Sequence, residues 1–250
     1  MNISESLAVQ SFCFRHFKDN AVVADSVNAI GLSGIELCGV HVDFTEESTF
    51  DSVIETYRKA DVQIIGIGVQ SFQNRPADER KFFEFARRAG VHVISADFSI
   101  NCVPDAYRSA EKLADEFDIQ LAVHNHGGRH WLGSATSLSH VFEQTSDRIG
   151  LMLDTAWALD SGEDPLAMAE QFGNRMYGVH VKDFVFDQAR KPADVVVGRG
   201  NLDLPGLVRI LQAIDFQGAT ILEYEGDIEN PVPALTQCVQ EIRNVVEHVG

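Results

Sequence analysis

Short apolar runs rich in β-branched residues alternate with segments of helical period from one end of the chain to the other. The runs span residues 7–14, 34–39, 63–71, 92–99, 120–128, 149–157, 176–184 and 218–226. Helical segments follow them at residues 21–30, 50–60, 77–90, from 104 onward, 136–147, 165–172, 204–214 and 232–249. The third is the strongest, with Phe82, Phe83 and Ala86 marking an apolar face and Gly90 suited to a C-terminal cap. Pro104 stands where a helix tolerates proline, in its first turn. Eight β/α pairs in 250 residues average about 31 residues each, the unit size of a parallel (β/α)8, or TIM, barrel. An open doubly wound sheet is the competing architecture; it usually has fewer strands, and in nucleotide-binding forms a Gly-rich turn follows the first strand. Here that position reads QSFCFRHF, without GxGxxG or a P-loop. The pattern predicts one (β/α)8 barrel domain over residues 1–250, with no linker or low-complexity segment.

Composition narrows the partners. Lys and Arg number 20 against 37 Asp and Glu, a net charge of −17, whereas a phosphate backbone needs clustered cations that release counterions. Neither nucleic acid nor an anionic membrane is expected to bind; a small molecule is. At 45% hydrophobic residues, 16 of them Phe, the chain can bury a large core. Cys13, Cys38, Cys102 and Cys238 form no CxxC pair and stand far apart, which fits reduced thiols rather than a zinc knuckle or a disulfide framework. The N-terminal stretch has no basic segment leading into an apolar one, and no run approaches the roughly 18 apolar residues of a membrane helix, so a cytoplasmic protein is expected. Self-association as a homo-oligomer is compatible with these features.

Strands covered on both faces should be nearly continuous apolar runs, so polar residues at their C-terminal ends need a reason. Four runs end in this way: LAV before His124, Asn125 and His126; LML before Asp154; YGV before His180, Lys182 and Asp183; TIL before Glu223, Tyr224 and Glu225. Parallel barrel strands all end on one rim, which would bring His124, Asp154, His180 and Glu223 together from the fifth to eighth strands. Two imidazoles and two carboxylates form a mixed N/O set suited to Mn2+, Co2+, Zn2+ or Fe2+. Singly, Asp154 or Glu223 could equally cap a helix, and His180 could be a satisfied core histidine. Four on consecutive strand ends favour a shared metal or catalytic site.

At these residues the chain resembles the xylose isomerase-like barrel family, the sugar-phosphate isomerase/epimerase group that includes hydroxypyruvate isomerases, ketose 3-epimerases and inosose dehydratases. The likeness is carried by GLSGIEL, LAVHNHGG, LMLDTAW, GVHVKD and the stretch from VGRGNLDLPGLVRIL to FQGATILEYEG, with 26 residues from Asp154 to His180 and five from Gly218 to Glu223. It implies a Glu, Asp, His, Glu metal set. Asp154, His180 and Glu223 fill the last three positions, while His124 stands where the first Glu would be and makes the site richer in nitrogen and less suited to Mg2+. His126 matches the family's His after Asn. Glu36 matches its recurrent second-strand acid, as a substrate contact or an orienting group. Trp157 replaces the His of the frequent Asp-Thr-Gly-His and offers a stacking face to a sugar-like ring. Arg199 stands where an acidic residue is frequent and either offers a cation to a carboxylate or phosphate or is, as the preferred reading, a solvated loop arginine.

The resemblance implies a divalent-metal-dependent isomerase or epimerase of a small sugar or sugar-derived keto compound, working through an enediolate. Glu223 would be ligand and base, Lys182 would stabilise an enolate oxygen or equally pair with Asp183 or Glu36, and His124 would serve as second acid/base only if free of the metal. His124 in place of a carboxylate weakens the two-glutamate epimerase scheme, so an inosose-type dehydratase, needing one base and one acid, is the alternative, with His126, Lys182 and Glu225 as helpers. An apurinic-site endonuclease on the related barrel is disfavoured by the charge of −17. A barrel that binds metal or sugar without turnover completes the set of readings.

Overall fold

A computed structural model describes residues 6–249. Its strands are β1 Leu7–Gln10, β2 Gly34–Leu37, β3 Gln63–Phe72, β4 Val93–Phe98, β5 Gln120–His124, β6 Ile149–Asp154, β7 Met176–Val181, β8 Phe184–Phe186, β9 Pro192–Asp194 and β10 Ala219–Leu222. Eight of them close into a parallel barrel in the order β1-β10-β7-β6-β5-β4-β3-β2. The helices between them are α1 Asn20–Ala29, α2 Phe50–Lys59, α3 Pro76–Ala89, α4 Asp105–Phe117, α5 Ala135–Glu143, α6 Thr155–Asp160, α7 Pro165–Phe172, α8 Leu204–Ala213 and α9 Val232–Val249. The (β/α)8 expectation is thus met. Two elements were not foreseen: the antiparallel hairpin of β8 and β9, and α6, which starts directly on the last residue of β6.

Local chemistry explains the elements. Every position of β1 and β6 is buried, as expected for parallel strands covered on both faces. Pro76 opens α3, and Gly90 closes it at φ 72°, a left-handed conformation that glycine adopts without Cβ strain. The buried face of α3 carries Phe83, Phe85 and Ala86, while Phe82 is half-buried, so the expected apolar stripe is rotated slightly towards Phe85. Edge-on ring contacts link Phe44, Phe50, Phe82 and Phe85 at centroid separations of 5.0–6.3 Å, which is where much of the Phe content goes. All four cysteines are free. Among the described residues no helix is long and apolar enough to cross a membrane.

The barrel interior is layered. Ala8, Ala122, Met152 and Ile221 form an apolar plug, edged by Ile65, Val93, Tyr177 and Ala219. Towards the C-terminal ends of the strands the inward positions turn polar and remain buried: Gln10, Glu36, Ser95, His124, Asp154 and His180. Room for this layer comes from glycine: a Cβ at Gly68 would overlap Ser95 Cβ and come within 3.0 Å of Glu36 Oε1. Gly68→Ala is therefore expected to destabilise the protein by about 1–3 kcal/mol, the usual cost of overpacking, read as a lower urea midpoint. An unchanged midpoint would mean that this wall yields freely.

Candidate metal centre and active site

His124, Asp154, His180 and Glu223 converge on the barrel mouth, with one possible ligand atom from each lying within 4.8 Å of all the others. His124 and Asp154 are the last residues of β5 and β6, His180 the penultimate residue of β7, and Glu223 follows β10. The side chains of Asn125 and Thr155 lock these ends together. Asn125 Nδ2 donates to Asp154 O (2.9 Å), Asp154 N donates to Asn125 Oδ1 (2.7 Å), and Thr155 Oγ1 donates to Lys182 O (2.6 Å).

Within the cluster, His180 Nδ1 lies 3.1 Å from His124 Nε2 and 3.0 Å from Glu223 Oε2, and His124 Nε2 lies 3.6 Å from Asp154 Oδ2. Four ligands at about 2.1 Å in a tetrahedron stand roughly 3.4 Å apart, so these spacings fit one shared ion. Asp154 divides its carboxylate: Oδ1 caps α6 by accepting from Trp157 N (2.7 Å), while Oδ2 is buried without a hydrogen-bond partner among the described residues. An orphaned carboxylate oxygen among imidazoles costs free energy unless a cation meets it. The residues present fit a divalent metal.

The charges follow from the same geometry. Burial, reinforced by His180, pushes the His124 imidazole down to about 3, leaving it neutral as a ligand must be. Burial raises Asp154 to about 7, with Lys182 opposing the shift. Burial alone would lower His180, but Glu36 and Glu223 outweigh it and push the ring up to about 10. Glu223 is held well below the usual carboxylate range because Lys182 and His180 overcome the effect of its burial. The sign of the resulting pH dependence is definite. A His180 raised from 6.5 to about 10 contributes stability that is full below 6.5 and lost as pH rises through 10. Metal-stripped protein is expected to lose urea resistance over that window. A bound divalent ion requires neutral His180, so saturating Zn2+ or Mn2+ should remove the decline. A rising midpoint in stripped protein would contradict the pairing of His180.

A support layer holds the cluster from the other side of the barrel. Glu36 Oε2 lies 2.7 Å from His180 Nε2 and accepts from Gln10 Nε2 at 2.6 Å, while Ser95 Oγ donates to Glu36 Oε1. Glu36 is buried and is not among the residues lining the cavity, which favours the orienting one of its two expected roles. It fixes His180 with Nδ1 facing the other three residues. Lys182 is likewise enclosed, in an ion pair with Glu225 rather than with Asp183 or Glu36. Its side chain is wholly buried, with Nζ on Glu225 and 4.0 Å from Glu223 Oε1, beneath the rings of Trp157 (5.0 Å) and Phe184 (5.5 Å). It faces the two glutamates and is not among the residues that line the cavity on which the cluster opens. Its sequence neighbour Asp183 instead receives the amides of Gly198, Gly200 and Leu202.

The cluster opens on a cavity of about 410 Å3 lined by Gln10, Cys38, His126, Trp157, Glu223 and Glu225 among others. His126 and Trp157, both expected to contact substrate, thus line this cavity. Arg199 does not line it: its guanidinium pairs with Glu241 of α9 at 3.0 Å on the exposed surface, which fits the solvated loop arginine and not the substrate-binding assignment. Gln10, Ser95 and Thr155 escaped the sequence reading, and Asn125 was named there without a role. Gln10 had a readable signal, a polar residue ending the apolar run LAVQ.

A family model described as xylose isomerase-like TIM barrel matches residues 24–245. The chain is 29% identical over 132 residues to the rhizopine catabolism protein MocC of Rhizobium meliloti, covering 47% of this chain and 40% of that protein. It is 25% identical over 144 residues to an inosose dehydratase of Clostridium beijerinckii, covering 51% and 48%. The chain thus spans about half the length of the curated relatives it matches. The IolI protein, solved with a zinc atom, superposes over 98% of this chain and 99% of its own with a TM-score of 0.81 at 14% identity. The probable 3-DHS dehydratase AsbF of Bacillus anthracis superposes over 96% and 99% with a TM-score of 0.76 at 15% identity. At these identities the two structures establish a shared fold.

Proposed function

The chain belongs to the xylose isomerase-like TIM barrel family, and on that premise we propose that it removes the proton α to the carbonyl of a small polyhydroxylated ketone or aldehyde, using a divalent metal held by His124, Asp154, His180 and Glu223. The observation that carries this reading is the buried four-residue cluster with an orphaned Asp154 oxygen, opening on a cavity of about 410 Å3, within the range of small-molecule sites. The metal, when bound, supplies Lewis-acid polarisation of the carbonyl.

The chain's own residues do the remaining work. Glu223 is ionised, and its carboxylate, which lines the cavity, accepts the α-proton. Lys182 behind it keeps that carboxylate charged and in place. Trp157, edge-on to Phe184 at 5.0 Å, walls the cavity and excludes water from the developing charge.

Dehydration is the outcome this arrangement favours. One carboxylate suffices for a syn elimination: Glu223 takes the α-proton, the C–H electron pair forms the C=C bond, and the same proton leaves with the β-hydroxyl as water. The similarity to inosose dehydratases supports this choice. Isomerisation or epimerisation is the second reading, favoured by His126, whose imidazole lines the same cavity and is held neutral, with burial lowering it to about 4. Incubation of metal-loaded protein with inososes, ketoses and hydroxypyruvate in D2O, followed by NMR, tests the proposal. Loss of the α-hydrogen together with water is expected for at least one polyhydroxy ketone, whereas replacement of that hydrogen by deuterium without water loss would favour the second reading. Neither water loss nor deuterium incorporation with any of them would overturn both.

A further inference from the structure

Glu223 lies just beyond the end of its strand, so the backbone groups around it need partners outside the barrel ladder. Pairing of β1 with β10 runs as far as Val9 opposite Leu222, and just beyond that pair the first chain coils into a 3-10 turn, Ser11–Phe14. On the β7 side Glu223 N still donates to Val181 O at 3.2 Å. On the β1 side a side chain takes over. Tyr224 N donates to Cys13 Sγ at 3.3 Å, and the same sulfur lies 4.0 Å from Leu222 O, the acceptor for its own proton.

Cys13 thus grips the chain on both sides of Glu223. It is wholly buried, and burial, reinforced by the charge of Glu223, raises its pKa well above the ordinary thiol value, which keeps on sulfur the proton that faces Leu222 O. A sulfur acceptor also stands farther from the amide than the roughly 2.9–3.0 Å of an oxygen, which matches the gap left where β1 turns away. The far end of the segment is held from the same turn and from the hairpin. Arg15, which closes the turn, donates through Nη2 to Glu225 O at 2.6 Å and through Nη1 to Phe12 O at 3.2 Å, while Glu225 N donates to Asp194 Oδ1 at 3.0 Å. The stretch QSFCFR, standing where a nucleotide-binding sheet would carry glycines, is therefore a clasp on residues 222–225.

We infer that Cys13 is a positioning residue for Glu223, its sulfur fixing the backbone on either side of the proposed base and ligand and so the place that this carboxylate takes beside His180. The inference rests on the proposed metal role of the cluster. Glu223 must stand 3.0 Å from His180 Nδ1 with Lys182 Nζ 4.0 Å from its other oxygen, and it does so from a residue outside the strand. A misplacement of about 1 Å is enough to cost roughly 100-fold in rate, so a group that pins both neighbouring peptides acts on the reactive centre without touching it.

The test loads metal-free wild type and variants with Co2+, reads affinity by titration and ligand-field bands by visible absorption, and sets these beside urea midpoints taken without metal. Cys13→Ala is expected to bind Co2+ about 10–100-fold more weakly, as on loss of other outer partners of metal ligands, with displaced bands. Cys13→Ser, which again supplies a donor and an acceptor but on a shorter bond, is expected to recover most of that affinity, with bands displaced less than in Cys13→Ala; it decides the question by itself should the alanine variant not fold. Val141→Ala, a core deletion near the C-terminal end of α5, is the comparison and should lower the urea midpoint while leaving Co2+ affinity and bands as in the wild type. Folded Cys13 variants that behave in that same way overturn the positioning role and leave the metal centre and its chemistry standing. Wild type that binds no Co2+ overturns the proposed function and the role of Cys13 with it.

Discussion

Alanine at His180 or at Glu223 is expected to abolish retention of a divalent ion through desalting, as read by elemental analysis. His180 Nδ1 is the atom closest to two other members of the cluster, at 3.1 Å from His124 Nε2 and 3.0 Å from Glu223 Oε2. Its loss leaves Asp154 and Glu223 as a buried carboxylate pair with one imidazole. A useful comparison is Glu36→Gln, which keeps all four cluster residues but removes the anion that orients His180. Loss of such an outer partner weakens metal binding by about 10–100-fold, so Glu36→Gln should retain metal only at elevated concentration, and His180→Ala not at all. Unchanged metal content in both alanine variants would refute the assignment of the site.

The largest effect on stability is expected from Lys182→Met. Nζ is the cation shared by Glu225 and Glu223 in a fully buried pocket, and burial alone would strip its charge; Glu223, Asp154 and Glu225 instead hold its pKa well above the ordinary lysine value. Methionine preserves the stem and its packing on Trp157 and Phe184 but leaves the carboxylates uncompensated. Removal of one partner of a buried ion pair costs about 3–5 kcal/mol. The variant should recover part of that loss at low pH, where the orphaned carboxylates take up protons, so its urea midpoint should rise on acidification from pH 8 to 6. A variant as stable as the wild type at pH 8 would show that Glu225 and Glu223 find other partners.

The barrel and the four cluster positions were legible because both are written in one-dimensional terms. An eight-fold alternation of strand and helix period admits few architectures, and polar residues at the ends of apolar strands stand out against their own strand. What could not be read is what depends on reach across the barrel. Glu36 meets His180 over a separation of 144 residues, and no local pattern distinguishes that from a substrate contact. Lys182 failed for a related reason. A lysine after a strand looks accessible until the hairpin of β8 and β9, too short and irregular to announce itself, brings Phe184 over its stem. Arg199 lies in a loop whose path is set by Asp183 gathering three backbone amides, and that path turns the guanidinium outward to Glu241.

The ring order of the strands has a consequence for how such a protein can change. The four cluster residues come from β5, β6, β7 and the residue after β10, strands that are contiguous in the barrel, and the orienting groups Gln10, Glu36 and Ser95 come from β1, β2 and β4 in the other contiguous arc. The proposed ligands and the groups that orient them therefore occupy two half-barrels that also divide the chain near its midpoint. A first half taken from a relative would keep His180 in its present orientation only where it brings an acid to the position of Glu36.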